Sequence, residues 1–110
     1  MIQLSTVFKE NLAQMPSIEG IERIDLVTTA NEVVATIENK PGKQGSVAVY
    51  NYLQKEFGAL NAKAAQHGLD VFAEHTIDAR NRPGAHPNVD RLLEVVAGGE
   101  TLNIQIVPAA

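Results

Sequence analysis

The stretch IERIDLVTTANEVVATI, residues 21–37, decides the class of this fold because its apolar residues alternate with polar ones. Ile24 and Leu26 alternate with charged neighbours, and a second alternating run begins at Val33, after a polar Thr-Thr-Ala-Asn turn. Turn residues between two alternating runs are typical of an antiparallel hairpin. The stretch therefore predicts two neighbouring strands, each with one apolar face.

Helices are predicted on both sides of the hairpin. The first covers residues 5–15 and ends at a proline, which supplies no amide proton. The second covers residues 46–67, with Ser46 as its N-cap and Gly68 after its last turn. Gly58 inside this helix costs about 1 kcal/mol relative to alanine and marks a place for a kink or for close packing.

Two more strands and one more helix follow. Residues 69–77 alternate apolar and polar side chains, which predicts a third strand. The last helix starts near Asn88, has apolar residues at helical spacing and stops at Gly98. The last strand, residues 102–106, again alternates.

The order α-β-β-α-β-α-β contains two consecutive β-α-β crossovers, which are right-handed in nearly all proteins. We therefore predict an α+β fold, a two-layer α/β sandwich with a mixed four-stranded sheet and helices mainly on one face, as a single domain over residues 1–110. Both apolar and polar residues are expected on the other face of the sheet: Phe72, Val34, Val27, Glu74, Thr76 and Gln105. Such a mixture fits either a solvated surface or a dimer interface.

The composition excludes several classes of protein. The 110 residues are 45% hydrophobic and 20% charged, which is typical of a globular domain. The net charge of -4 disfavours nonspecific nucleic-acid binding, and the absence of cysteine excludes disulfides, thiolate metal sites and cysteine nucleophiles. Neither a signal-peptide pattern nor an apolar run of about 18 residues is present. We expect a cytoplasmic protein without nucleic-acid or membrane partners; a periplasmic protein that has lost its leader is the alternative.

One loop motif occurs twice. Asn39-Lys40-Pro41-Gly42-Lys43 leaves the second predicted strand and Asn81-Arg82-Pro83-Gly84-Ala85 leaves the third, each shortly before a helix. Pro-Gly is common turn chemistry because proline fixes φ and glycine accepts positive φ. The recurrence is explained either by chance reuse of a good turn or by an old duplication of a strand-loop-helix unit.

The two loops are basic islands in an acidic chain, since neither contains Asp or Glu. Free amide protons and the helix dipole attract anions to a helix N-terminus, and ligands usually bind at the carboxyl ends of parallel strands. Asp90 opposes an anion at the last helix, so the stronger site is expected before the second helix. The candidate anion-binding residues are Lys40, Lys43, Gln44, Gly45, Ser46, Arg80 and Arg82. The alternative is that these are solvated loop charges.

Two imidazoles and two carboxylates lie close together in the sequence: His75, Asp78, His86 and Asp90. Such a group can provide acid–base catalysis or hold a divalent metal. Its spacing matches no metal motif, so we predict no metal site and no cofactor. The candidate catalytic residues are His75, Asp78 and His86. A hydrogen-bonded core histidine at position 75 and a structural helix entrance at position 86 are the simpler interpretations.

The stretch RNRPGAHPNVDRLL, residues 80–93, resembles a small family of stand-alone bacterial proteins of about this length with no assigned function. The resemblance implies a bacterial protein and carries over no catalytic residue.

No nucleophile elbow or catalytic triad is recognisable, which favours a non-enzymatic binding or interaction module over an enzyme. The apolar residues expected on the open sheet face favour a homo-oligomer, in the simplest case a homodimer. Two alternatives stay open. One is a small-anion or phosphometabolite site in residues 39–46, and the other is a small enzyme that uses His75 or His86 with Asp78.

Overall fold

The computed structural model describes residues 1–110, which form five helices and four strands. The helices are α1 (Phe8–Leu12), α2 (Gln44–Phe57), α3 (Ala62–Phe72), α4 (Glu74–Asn81) and α5 (Pro87–Val96). The strands are β1 (Ile21–Val27), β2 (Val33–Glu38), β3 (Ala59–Leu60) and β4 (Leu102–Pro108). The predicted hairpin, last helix and last strand are confirmed as β1–β2, α5 and β4.

The α+β class and the four-stranded sheet are also confirmed, but the sheet is antiparallel throughout instead of mixed. Its strand order is β2-β1-β4-β3, and every neighbouring pair is antiparallel. The predicted parallel pairs are wrong because they depended on a third strand in residues 69–77, and that region is helical. The third strand is instead the two-residue β3, which pairs with the start of β4.

Residues 69–77 belong to α3 and α4 although their apolar residues alternate. Four of the buried residues, Leu69, Phe72, Thr76 and, just beyond the stretch, Ala79, lie at spacings of three and four, which is the helical period, and Val71 is buried beside them. Between the two helices Ala73 adopts φ 51° and ψ −114°, a conformation that L-residues rarely take. This joint turns the chain, so that α4 leaves in a new direction.

The predicted helix over residues 46–67 is broken in two. Gly58 adopts φ +80° and ends α2, so the glycine is a stop and not a kink. After β3 a new helix begins with Asn61 as its N-cap, whose side-chain oxygen accepts a bond from the Ala64 amide at 2.9 Å. Ser46 is not an N-cap, because α2 already begins at Gln44.

The first helix is shorter than predicted at both ends. Val7 before it is extended, and residues after Leu12 make turn-type bonds, such as the Met15 amide to the Leu12 carbonyl at 3.1 Å. The buried Asn11 holds this segment to the core, because its side-chain amide donates to the carbonyls of Ser5 and Val71.

The core lies between one face of the sheet and the helices. Residues 47–53 of α2 are all buried, so this helix is enclosed around its whole circumference. The other face of the sheet carries a polar cluster, in which Arg23 and Thr36 both bond the carboxylate of Asp25, at 3.2 and 3.0 Å. Phe72, Glu74 and Thr76 were expected on this face, but they lie in α3 and α4. No helix combines the length and apolar character needed to cross a membrane.

Gly68 lies inside α3, where any side chain would collide with the core. An added Cβ atom would meet Leu92 Cδ1 at 2.8 Å and Leu53 Cδ1 at 3.0 Å. Replacing a helical glycine with alanine normally stabilises by about 1 kcal/mol. Here we expect Gly68→Ala to lower the free energy of unfolding by about 1–2 kcal/mol in urea denaturation, because the core is overpacked. In a Leu92→Val background the same change should cost less; stabilisation by Gly68→Ala would contradict this packing.

Candidate functional site

A cavity of about 460 Å³ lies where the two Pro-Gly loops meet, and we call it the loop cavity. Its volume is in the range of small-molecule sites. The first loop and the start of α2 contribute Gly42, Lys43, Gly45 and Ser46. The second loop and the start of α5 contribute Ala85, His86, Pro87, Asn88 and Val89, and the remaining wall consists of Phe8, Phe72 and His75.

The two loops have the same turn geometry. In the first, the Lys43 amide donates to the Lys40 carbonyl at 2.9 Å, and in the second the Ala85 amide donates to the Arg82 carbonyl at 3.0 Å. The third residue of each turn is a glycine with φ near +90° (+88° and +90°), as a type II turn requires. The second loop leaves α4 and not a strand, so the sequence hypothesis of a duplicated strand-loop-helix unit is wrong.

A buried tyrosine holds the two loops together. The Tyr50 hydroxyl, in the core of α2, donates to the Asn88 carbonyl at 2.6 Å, in the first turn of α5. Arg91 donates to the Tyr50 oxygen at 3.1 Å and to Asn88 Oδ1 at 3.0 Å. Burial raises the pKa of Tyr50 to about 12. This bond between helices fixes the start of α5 beside the start of α2.

The start of α2 has unpaired hydrogen-bond donors. The backbone N–H groups of Gln44, Gly45 and Ser46 have no acceptor in the chain, and no acidic residue lies in the first turn. The start of α5 differs, since Asp90 accepts a bond from the Gly84 amide at 3.0 Å and itself donates its amide to the His86 carbonyl. Of the two helices, only α2 therefore has three adjacent free donors and no acidic residue in its first turn to oppose the positive end of its dipole.

Both candidate histidines line the loop cavity. The ring of His75 on α4 meets Phe8 edge-on at 5.0 Å between centroids, and lies 5.5 Å from the ring of His86. His86 Nε2 is 2.6 Å from a carboxylate oxygen of Asp78, which also accepts from Arg82. The Arg82 guanidinium, followed by His86, holds the pKa of Asp78 well below its usual range. A charged carboxylate therefore fixes the orientation of the His86 ring.

The sequence interpretation of His75 as a core histidine is wrong. His75 is half-buried and makes no hydrogen bond within the chain, because α4 turns its ring toward the cavity. The interpretation of His86 as a helix entrance agrees with its place at the N-cap of α5, although its side chain makes no capping bond. His75, Asp78 and His86 are thus brought together. Nowhere in the chain do three or more His, Asp or Glu side chains form a group that could hold a metal ion.

Four of the seven predicted anion-binding residues do not line the cavity: Lys40, Gln44, Arg80 and Arg82. Lys40 pairs with Glu38 at 2.6 Å, and Arg82 pairs with Asp78. Arg80 lies on a different hollow of the surface. Among the predicted residues, Lys43, Gly45 and Ser46 line the cavity, and Gln44 adds its free backbone N–H.

Sequence reasoning missed the aromatic wall of the cavity. The rings of Phe8 and Phe72 stack at 5.4 Å between centroids. Phe8 falls within the predicted helix over residues 5–15, and Phe72 was expected on the open face of the sheet. No local pattern identifies them, because they meet only after α1 packs against α3.

The family described as "uncharacterized protein conserved in bacteria (DUF2322)" matches residues 8–106. The chain belongs to this family. The resemblance seen in residues 80–93 is thereby confirmed, and the matched range contains every residue that lines the loop cavity. No curated protein and no solved structure matches the chain.

Tyr50 offers a direct test of how this DUF2322 protein holds its two loops together. Folded Tyr50 keeps its proton to about pH 12, whereas an unfolded tyrosine loses it near pH 10. The free energy of unfolding should therefore fall as pH rises from about 10 to about 12. Tyr50→Phe should reduce this dependence to the smaller part that comes from Tyr52, whose pKa burial also raises. At neutral pH the same change should lower the free energy of unfolding by about 1 kcal/mol.

The measurement is an ultraviolet titration of tyrosinate, combined with urea denaturation at each pH. Tyr52→Phe is the matched control, and it should keep the phenol that titrates near pH 12. If the titration near pH 12 disappeared in Tyr52→Phe and not in Tyr50→Phe, the assignment of this titration to Tyr50 would be wrong.

Proposed function

We propose that this protein binds a small anionic metabolite, with a phosphate or carboxylate group, in the loop cavity. The observation that carries the proposal is the start of α2, where the N–H groups of Gln44, Gly45 and Ser46 have no acceptor beside a cavity that Gly45 and Ser46 line. Several adjacent amides at a helix N-terminus form an anion site, because the donors and the dipole act on the same charge.

The charges of the cavity wall support an anionic ligand. No Asp or Glu lines the cavity, although the chain as a whole carries a net charge of -4. Lys43 is the lysine of the wall, and it forms no salt bridge within the chain, unlike Lys40. A negatively charged ligand would therefore bind Lys43 and the free amides without displacing an internal partner.

The rest of the wall indicates the shape of the ligand. The half-buried ring of Phe8 gives the cavity of about 460 Å³ an apolar surface, and the ring of Phe72, only 3% exposed, stacks behind it. An inorganic ion would leave most of that surface in contact with water. A ligand with an anionic group and a flat apolar part would cover it and bind more tightly.

NMR titrations of the full chain with phenyl phosphate and with inorganic phosphate test this proposal. We expect both to shift the amide signals of Gly45 and Ser46, with phenyl phosphate binding more tightly. Lys43→Ala should weaken phenyl phosphate binding about tenfold, a loss of about 1.4 kcal/mol. Lys63→Ala is the matched control, since this exposed lysine of α3 lies outside the cavity, and it should leave binding unchanged. Unshifted Gly45 and Ser46 signals at millimolar ligand would disprove the proposal.

A second candidate function is hydrolysis of a phosphate ester bound in the same cavity. The specific observation that favours it is the Asp78–His86 contact at 2.6 Å, with the free ring of His75 at 5.5 Å. His86, oriented by Asp78, would take a proton from the water that attacks phosphorus. Protonated His75 would give a proton to the departing oxygen as its bond to phosphorus breaks.

Release of nitrophenolate from p-nitrophenyl phosphate tests this second function. If the histidines catalyse, His86→Gln should lower kcat at least about 100-fold while KM changes little. His67→Gln is the control, because His67 lies on α3, contacts Tyr52 and does not line the cavity. Tight binding without turnover by the wild type would exclude the hydrolase and leave the binding function intact.

A further inference from the structure

His75 is the one histidine of the chain whose ring makes no hydrogen bond. Nε2 of His67 lies 2.7 Å from the Tyr52 hydroxyl, and Nε2 of His86 lies 2.6 Å from a carboxylate oxygen of Asp78. The ring of His75 is half-buried and lines the loop cavity. Its nitrogens are therefore free to interact with a ligand in that cavity.

A proton on His75 would have no counter-ion within the chain. Three carboxylates lie on the elements beside it, and each is bonded elsewhere: Glu74 to the Phe8 amide, Asp78 to Arg82 and His86, and Asp90 to the Gly84 amide. Lys43 is the other charged group of the wall, and α1 and α3 contribute only phenyl rings to it. The surroundings of His75 therefore suit an anion from outside the chain.

His75 lies close to the free amides at the start of α2. A Cβ atom on Gly45 would lie 3.2 Å from Phe8 Cε2, and the rings of Phe8 and His75 are 5.0 Å apart between centroids. Two groups that touch one phenyl ring lie within about 10 Å of each other, the distance over which 0.1 M salt screens a charge. A negative charge bound at the Gly45 amide therefore favours the protonated form of His75.

We propose that His75 is a second cation of the loop cavity, which takes up a proton as the ligand binds, and that the ligand is a phosphate monoester. This inference rests on the proposed binding function and narrows its ligand from phosphate or carboxylate to phosphate. An imidazole changes its charge between about pH 5 and pH 8, so the proton is available near neutral pH. Lys43 and protonated His75 match the charge of a phosphate monoester, which is close to two, whereas a carboxylate carries one.

The number of free donors also favours a phosphate. Besides the three amides at the start of α2, the Ser46 hydroxyl, the Lys43 ammonium group and the His75 ring have no partner in the chain. A carboxylate offers two oxygens, whereas a phosphate monoester offers three terminal oxygens on a tetrahedral centre. A phosphate can therefore engage more of these donors at once.

Benzenesulfonate tests the proton uptake, because its single charge stays constant over the pH range in which an imidazole titrates. In NMR titrations of the full chain, its affinity should rise about tenfold from pH 8 to pH 5.5. Because coupling is reciprocal, bound benzenesulfonate should raise the pH at which the His75 C2–H signal titrates by about one unit. His75→Gln should remove most of the rise in affinity. The matched control His67→Gln lies outside the cavity and should keep it.

Phenyl phosphate and benzoate, compared at pH 7, test the class of ligand. The unaltered chain should bind phenyl phosphate at least about tenfold more tightly than benzoate. His75→Gln should weaken the binding of phenyl phosphate about tenfold and change that of benzoate less than about twofold, because only the dianion needs the second cation.

The outcomes separate this inference from the binding function. If benzenesulfonate shifts the Gly45 and Ser46 amide signals with equal affinity at both pH values, the cavity binds anions but His75 takes up no proton, and the inference is wrong. An equal rise in His75→Gln, or equal affinities for phenyl phosphate and benzoate, would overturn it too. If no probe shifts these signals at either pH, the binding function and this inference both fail. The C2–H titration uses the unaltered chain and decides the matter even if His75→Gln does not fold.

Discussion

The enclosure of α2 is the constraint on which the rest of the structure depends. A helix on the surface needs one apolar stripe, but residues 47–53 of α2 are buried on every side. The sheet covers one side, and α1, α3 and α5 must cover the others. Tyr50 illustrates this constraint. Its buried hydroxyl needs a hydrogen-bond acceptor, and the Asn88 carbonyl of α5 provides one at 2.6 Å. The start of α2, where the enclosure ends, is the part that remains open to a ligand.

The elements that the sequence predicts correctly are those whose pattern has one explanation. Apolar and polar residues alternate on both sides of a polar turn, and only a hairpin of β1 and β2 fits this pattern. The apolar residues of α5 recur at helical spacing, and only a helix fits that pattern. Residues 69–77 fit two explanations, because a short run with several apolar residues suits a strand or a helix equally well. Features outside the stretch decide between them: Gly58 ends α2, the Asn61 cap starts α3, which contains residues 69–72, and α4 contains residues 74–77. Whether such a segment becomes a helix or a strand depends on tertiary packing, which the local sequence pattern does not record.

The sequence predicts part of the candidate site correctly, although one premise of that prediction is wrong. The two loops were expected to meet at the carboxyl ends of parallel strands, and no parallel strands exist. They meet because α2 and α5 are neighbours joined by Tyr50. The sequence identifies the cationic residues but not the carboxylates that pair with them. In the structure Lys40 and Arg82 form salt bridges with nearby carboxylates, and Lys43 forms none. Phe8 and Phe72 approach each other only in the folded chain.

The position of β4 has a consequence for how the chain reaches this structure. Residues 102–108 are the last strand in sequence and yet lie inside the sheet, between β1 and β3. During synthesis every helix has therefore left the ribosome before the sheet can close, and the hairpin must wait with its β1 edge unpaired. Contacts between residues so far apart in sequence form slowly. Until residues 102–108 are made, the β1 edge of the hairpin therefore stays unpaired, and unpaired strand edges are prone to aggregate.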